Sequence, residues 1–357
     1  MKLPIGVAAI FAVGSLSVAM YAQSASSGSL LVLSKKDHTL AVVDPATLKV
    51  LGKAPVGNDP HEVVASSDGT TAYVSNYGGG AFNTLAVIDL AGPRALEPID
   101  LGALRGPHGL TFVGGKTWFT VEGSKAIGRY DPATKKVDWV MGTGQNRTHM
   151  IYVSDDMQQI VTTNVSSGTV TILDMQEVRM GPPPGAPGTP PPGGMPPGGP
   201  GGAAPRKDWN ETVVKVGGGS EGFDISPDKK EVWVANSQDG TISVIDLPGK
   251  KVIETLQANV RGANRLRFTP DGKLVLVSML SGGDLVVLDA STRKEVKRVP
   301  IGHGAAGIEM QPDGLRAFVA CTPDNYVAVI DLHLLTVVGH IDAGGNPDGM
   351  AWATRKP

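Results

Sequence analysis

The sequence predicts an all-β fold, a seven-bladed β-propeller, from three observations. A run of apolar residues ending in aspartate, V-I-D in its fullest form, occurs seven times, at Asp44, Asp89, Asp131, Asp174, Asp246, Asp289 and Asp331. The successive spacings are 45, 42, 43, 72, 43 and 42 residues, so five intervals share one period and the sixth carries an insertion of about 29 residues. The two ends of the chain are incomplete in complementary ways: residues 28–57 supply three strands of a unit, and Asp348 to Thr354 supply the missing first one.

Each unit has one internal grammar, clearest in GFDISPDKKEVWVANSQDGTISVIDLPGKKVIETL from Gly222 to Leu256. An apolar strand meets a Pro-Asp turn, and a second strand ends in asparagine. A glycine-containing loop, the V-I-D strand, another turn and a last strand follow. Period-2 alternation with turn residues at this regular spacing gives four short antiparallel strands, the content of one propeller blade. The C-terminal strand is expected to pair with the N-terminal blade, closing the ring and leaving no free edge there.

The segments AYVSN (Ala72 to Asn76), VWVAN (Val232 to Asn236) and AFVAC (Ala317 to Cys321), each followed by a V-I-D-type strand, resemble the YVTN β-propeller repeat family of exported bacterial and archaeal proteins. The resemblance covers nearly all of the chain beyond its N-terminus and implies the propeller fold. It implies no single chemistry, because the family resembles a mixture of surface-layer proteins, lactonase-like enzymes and binding proteins.

Residues 1–25 read as an export signal: Lys2, an apolar run from Ile5 to Met20, then the small residues AQSASSGS with cleavage near Ala22 to Ala25. An uncleaved membrane anchor is the alternative. Either places the domain, residues 28–357, in the periplasm or outside the cell. Cys321 is the only cysteine, so no intramolecular disulfide is possible and burial must supply stability. The 41% hydrophobic content is ample for a core, and a net charge of -2 with no basic run argues against nucleic acid and anionic membranes as partners.

The insertion, residues 181–205, is almost wholly proline and glycine and reads as a disordered, solvated loop that cannot pack. It falls between the third and fourth strands of its blade. It offers a place for a protein partner or the cell wall, or it is a tolerated insertion.

Counting back seven residues from the turn aspartates Asp68, Asp156, Asp228, Asp271 and Asp313 reaches His61, His149, Glu221, Asn264 and Ala306. His108 joins this register if its turn is one residue shorter, and Asp348 joins it by matching PDGM to PHEV. In blade order the ring reads Asp348, His61, His108, His149, Glu221, Asn264, Ala306. First strands line the channel of a propeller, so these side chains should gather at one mouth. Neutral imidazoles flanked by carboxylates are donors for a divalent transition metal (Zn, Fe, Cu or Mn) with an open position, held by His61, His108, His149 and Glu221. The other histidines, His38, His303, His333 and His340, fall elsewhere and read as surface residues.

The ends of the second strands should return to the same mouth as a second ring: Ser34, Asn76, Glu122, Asn164, Asn236, Met279 and Cys321. Asn76, Glu122, Asn264 and Arg265 are the expected substrate-binding residues. Glu122 stands where the repeat has asparagine, and either orients an imidazole or joins the coordination. Arg147 and Arg265 either clamp an anionic substrate or pair with Glu62 or Glu122. The V-I-D aspartates read as turn caps.

No Walker-type, H-E-x-x-H or C-x-x-C motif occurs, and GSEGFD around Ser220 has no adjacent histidine in sequence. The sequence therefore points to a metal-dependent enzyme acting on a small polar or anionic substrate, with Glu221, Asp348 and Arg147 as the catalytic groups. Hydrolysis or elimination suits a redox-silent metal, and oxidation requires iron or copper. The alternatives are a non-catalytic envelope propeller that binds a ligand or protein, and a purely structural one.

Overall fold

The computed structural model describes residues 28–178 and 206–354. The expected export signal and the proline-glycine insertion lie outside the described residues. Among the described residues the sole helical piece is a 3-10 turn, Gly78–Gly80, and no helix is long and apolar enough to cross a membrane.

Seven antiparallel sheets form seven blades. The C-terminal strand Pro347–Thr354 pairs with Gly28–Ser34, Leu31 opposite Ala351, so the expected clasp is present. Each first strand touches that of the next blade, and the circuit closes from Ala305–Met310 through Pro347–Thr354 to Pro60–Ala65. The core lies between successive blades: Trp233, Val244 and Leu266, for example, pack as one buried cluster. Most V-I-D aspartates cap the turn that follows. Asp44, Asp89, Asp131, Asp289 and Asp331 each accept a backbone N–H two or three residues ahead.

Every first strand opens with the same irregularity. Pro60 pairs with Asn76 and Val63 with Val74, so His61 and Glu62 together oppose Ser75. The same two-against-one bulge places His108 and Gly109 opposite Thr120, and His149 and Met150 opposite Thr163. It recurs at Glu221, Asn264, Ala306 and Asp348. A bulge bends its strand and re-aims its side chains, which is how seven strand openings come to serve one mouth. In four blades a hydroxyl repairs the broken ladder, and in three of them it also ties it to the next blade. Thr120 accepts the N–H of Gly109 at 2.9 Å and donates to the carbonyl of His149 at 2.6 Å. Ser75, Thr163 and Ser278 accept the corresponding N–H of Glu62, Met150 and Arg265.

The second bulge residue is glycine in four blades because neighbouring first strands nearly touch there. A Cβ on Gly109 would lie 2.4 Å from the carbonyl oxygen of His149, and one on Gly349 would lie 2.2 Å from that of His61.

The insertion sits between Thr169–Val178 and Arg206–Lys215, which stay paired out to Val178 and Arg206. Because Thr169 starts beside Asn164 at the mouth end, Val178 and Arg206 lie toward the opposite face.

Candidate metal centre at the channel mouth

The mouth is a cavity of about 630 Å³ lined by residues that include Lys35, His61, Tyr77, His108, Arg147, His149, Glu221, Asn264, Arg265 and Asp348. Six of the seven expected ring residues face it directly, and Ala306 completes the wall. The ring centroids of His61 and His108 are 4.9 Å apart, and those of His108 and His149 are 3.9 Å apart. The three imidazoles converge. The remaining four histidines are exposed.

His108 and His149 are 3% and 2% exposed, too buried for water to satisfy their nitrogens. Burial, then the charges of His149 and His61, holds His108 well below the ordinary imidazole range, so the ring is neutral. Its Nδ1 has no hydrogen-bond partner. His149 differs: burial opposes its charge, but Glu221 and Glu122 on either side outweigh that and raise its pKa. Its Nδ1 donates to Glu122 Oε1 at 2.5 Å. Its Nε2 lies 2.9 Å from Glu221 Oε2, close enough for an ion pair but off the hydrogen-bond axis, so it makes no directed bond. Two adjacent rings thus each carry a buried nitrogen without a directed hydrogen bond, at His149 beside the Glu221 carboxylate.

Ligand atoms of His108, Glu122 and His149 all lie within 4.8 Å of one another. His61 stands beside this group but is engaged elsewhere, its Nε2 being 2.7 Å from Lys35 Nζ and 3.1 Å from Asp59 Oδ1. Lys35 also reaches Asp348 at 3.3 Å. The hydrogen bond with His61, against the cost of burial, holds the Asp59 carboxyl well below its usual range.

Two expected placements are corrected. Pro107 pairs with Val121, so Val121 and not Glu122 takes the asparagine position of the repeat. Glu122 stands one residue further on, level with Tyr77 after Asn76; Tyr77 lines the mouth, and Glu122 is buried beside it, bonded to its phenol. Asn76 does not line the mouth. It is wedged between strands, donating to Thr84 Oγ1 at 3.2 Å, and borders a separate cavity with Phe82 and Leu96. Asn164 and Asn236 are spent in the same way on the hydroxyls of their next strand.

The arginines form ion pairs. Arg265 is buried against Glu62, and Arg147 reaches Glu122 at 3.3 Å and Glu221 at 3.7 Å. Glu221 is held down to about 2: burial works against this, and His149, Arg147 and Arg265 overcome it. Tyr77 was not anticipated from the sequence. Its phenol donates to Glu122 Oε2 at 2.5 Å, and its ring meets His61 and His108 edge-on. A tyrosine following an asparagine at a strand end carries no motif. The signal that could have found it is its alignment with Glu122 once the register is corrected.

Residues 199–314 match the cytochrome D1 heme domain family. A stretch of 125 residues is 33% identical to the dihydro-heme d1 dehydrogenase of Pseudomonas aeruginosa, covering 34% of this chain and 24% of that protein. A candidate 6-phosphogluconolactonase from Bacteroides fragilis superposes with a TM-score of 0.70 at 15% identity, over 92% of this chain and 99% of that one. A functionally unknown protein from Desulfotomaculum acetoxidans gives 0.69 at 15% identity, over 92% and 100%. The chain is a seven-bladed β-propeller that shares its fold with lactonase-like and cytochrome D1 propellers. The chain spans about a quarter of the length of its curated relative.

Proposed function

We propose that this propeller is an exported, metal-dependent enzyme of the hydrolase or lyase type, acting on a small polar substrate at the channel mouth. The observation that carries the reading is the convergence of His108 and His149 on the mouth cavity, ring centroids 3.9 Å apart, with Glu122 behind His149 and Glu221 on its cavity side. A divalent ion there supplies Lewis acidity or an activated water when bound. The donor set fits such an ion: His108 is neutral with an unpaired nitrogen, and the flanking carboxylates stabilise whatever positive charge stands between them.

The chain's own groups divide the remaining work. Lys35, His61, Asp59 and Asp348 form a connected polar cluster that can hold and pass a proton beside the ion site. Arg147, half-exposed between Glu122 and Glu221, can turn toward a substrate oxygen. Because both mouth arginines are already ion-paired, the site favours a polar, uncharged or weakly anionic substrate over a strongly anionic one. The export signal supports a periplasmic or secreted location.

The matched stretch supplies no mouth histidine of its own. The sole histidine within residues 199–314 is His303, which is exposed and 3.2 Å from Asp324, outside the mouth.

Metal analysis of purified protein and of His108→Ala tests the reading, with activity screened against added Zn, Mn, Fe or Cu. Bound metal in the parent and its loss in the variant support the proposal. Equal and negligible metal in both removes it and leaves a non-catalytic binding propeller.

A further inference from the structure

We propose that Glu122 is not a metal ligand but, together with Tyr77, the support that aims His149 Nε2 at the ion, and that Glu221 supplies the coordinating carboxylate. This rests on the metal reading above. A carboxylate offers about four acceptor directions over its two oxygens. Glu122 has committed three of them: Oε2 accepts from Tyr77 Oη at 2.5 Å and from Arg147 Nε at 3.3 Å, and Oε1 accepts from His149 Nδ1 at 2.5 Å.

The bond to Nδ1 settles which end of His149 can donate. With Nδ1 carrying a hydrogen toward Glu122, the lone pair available after deprotonation is that of Nε2, the nitrogen without a directed partner. A carboxylate behind an imidazole in this way fixes its tautomer and orientation and raises its basicity. Glu221 stands on the open side of the ring, with Oε2 2.9 Å from Nε2 and Oε1 only 3.7 Å from Arg147. It lines the mouth cavity, as His108 and His149 do.

Tyr77 is what makes the difference between two otherwise similar glutamates. It occupies in its blade the place that Glu122 occupies in the next, one residue beyond the pairing with Pro60 and Pro107 respectively. Its phenol therefore reaches across the blade boundary to fill the outer oxygen of Glu122. Burial and Glu122 push that phenol up to about 12, so it remains a donor at neutral pH.

Cobalt(II) binding, followed by visible absorption and by metal content, separates the two glutamates. For Glu221→Gln the expected result is loss of the cobalt spectrum. For Glu122→Gln and Tyr77→Phe it is an affinity lower by about 10- to 100-fold with an unchanged band shape, since the ligands remain. Loss of the spectrum in Glu122→Gln, with Glu221→Gln binding normally, overturns the assignment while leaving the metal reading intact. A parent protein that binds no cobalt overturns both. Should Glu122→Gln fail to fold, as judged by circular dichroism, Tyr77→Phe decides: affinity equal to the parent's overturns the support role.

Discussion

Glu62 and Arg265 meet across the propeller axis, one from the second blade and the other from the sixth, and their ion pair forms the floor of the mouth. Arg265 lines the mouth cavity above, while Glu62 lines a second cavity of about 280 Å³ below, which also holds Asp224, Arg267 and Glu309. Both are second bulge residues, the position that four other blades fill with glycine.

Removing one partner strands a buried charge. Glu62→Ala or Arg265→Ala is expected to cost about 3–5 kcal/mol in urea unfolding, and exchanging both for apolar residues of similar volume should cost much less. Equal losses for single and double replacement would show that packing, and not the stranded charge, dominates.

Thr120→Val leaves the N–H of Gly109 and the carbonyl of His149 without their bridge in a fully buried place. The expected cost is about 1–3 kcal/mol, with weaker metal binding because the His149 backbone loses its anchor. Thr120→Ser keeps both bonds and should restore metal affinity, measured by titration.

Metal affinity should depend on pH in a defined direction. Glu221 and Glu122 hold His149 protonated above the usual imidazole range, against burial, and an ion must displace that proton. Affinity therefore rises with pH, by about tenfold per unit for one released proton, and levels off above the folded pKa of His149. A flat profile from pH 6 to 8 would exclude His149 as a ligand.

Glu309 should make the fold less stable as pH rises. Burial, only partly offset by Arg267, pushes its carboxyl up to about 7 from an ordinary 4.5. Between those values the unfolded chain gives up the proton while the folded one keeps it, so stability falls through that window and stays reduced above it. Glu309→Gln removes this dependence. Its melting temperature, compared with the parent's, should be relatively higher at pH 8 than at pH 5.

The mouth ring was legible because it is tied to features that repeat. His61, His149 and Glu221 each lie a fixed distance before a turn aspartate, and a bulge common to every blade preserves that distance in space. Glu122 was misplaced by one residue because its blade has no asparagine to mark the strand end. Only the pairing of Pro107 with Val121 reveals the offset. Asn76 was misassigned because strand-end position says nothing about whether an amide turns to the channel or to the adjoining strand.

The sequence by itself determined the number of blades, the clasp that closes them and the residues at the mouth, because alternation and turn chemistry are local and repeat along the chain. Tertiary structure alone decided which carboxylate faces which imidazole, that Tyr77 supports Glu122, and that Glu62 finds Arg265. The last two contacts join residues 45 and 203 positions apart. Their partners are chosen by the closeness of blades around a shared axis, which no local pattern records.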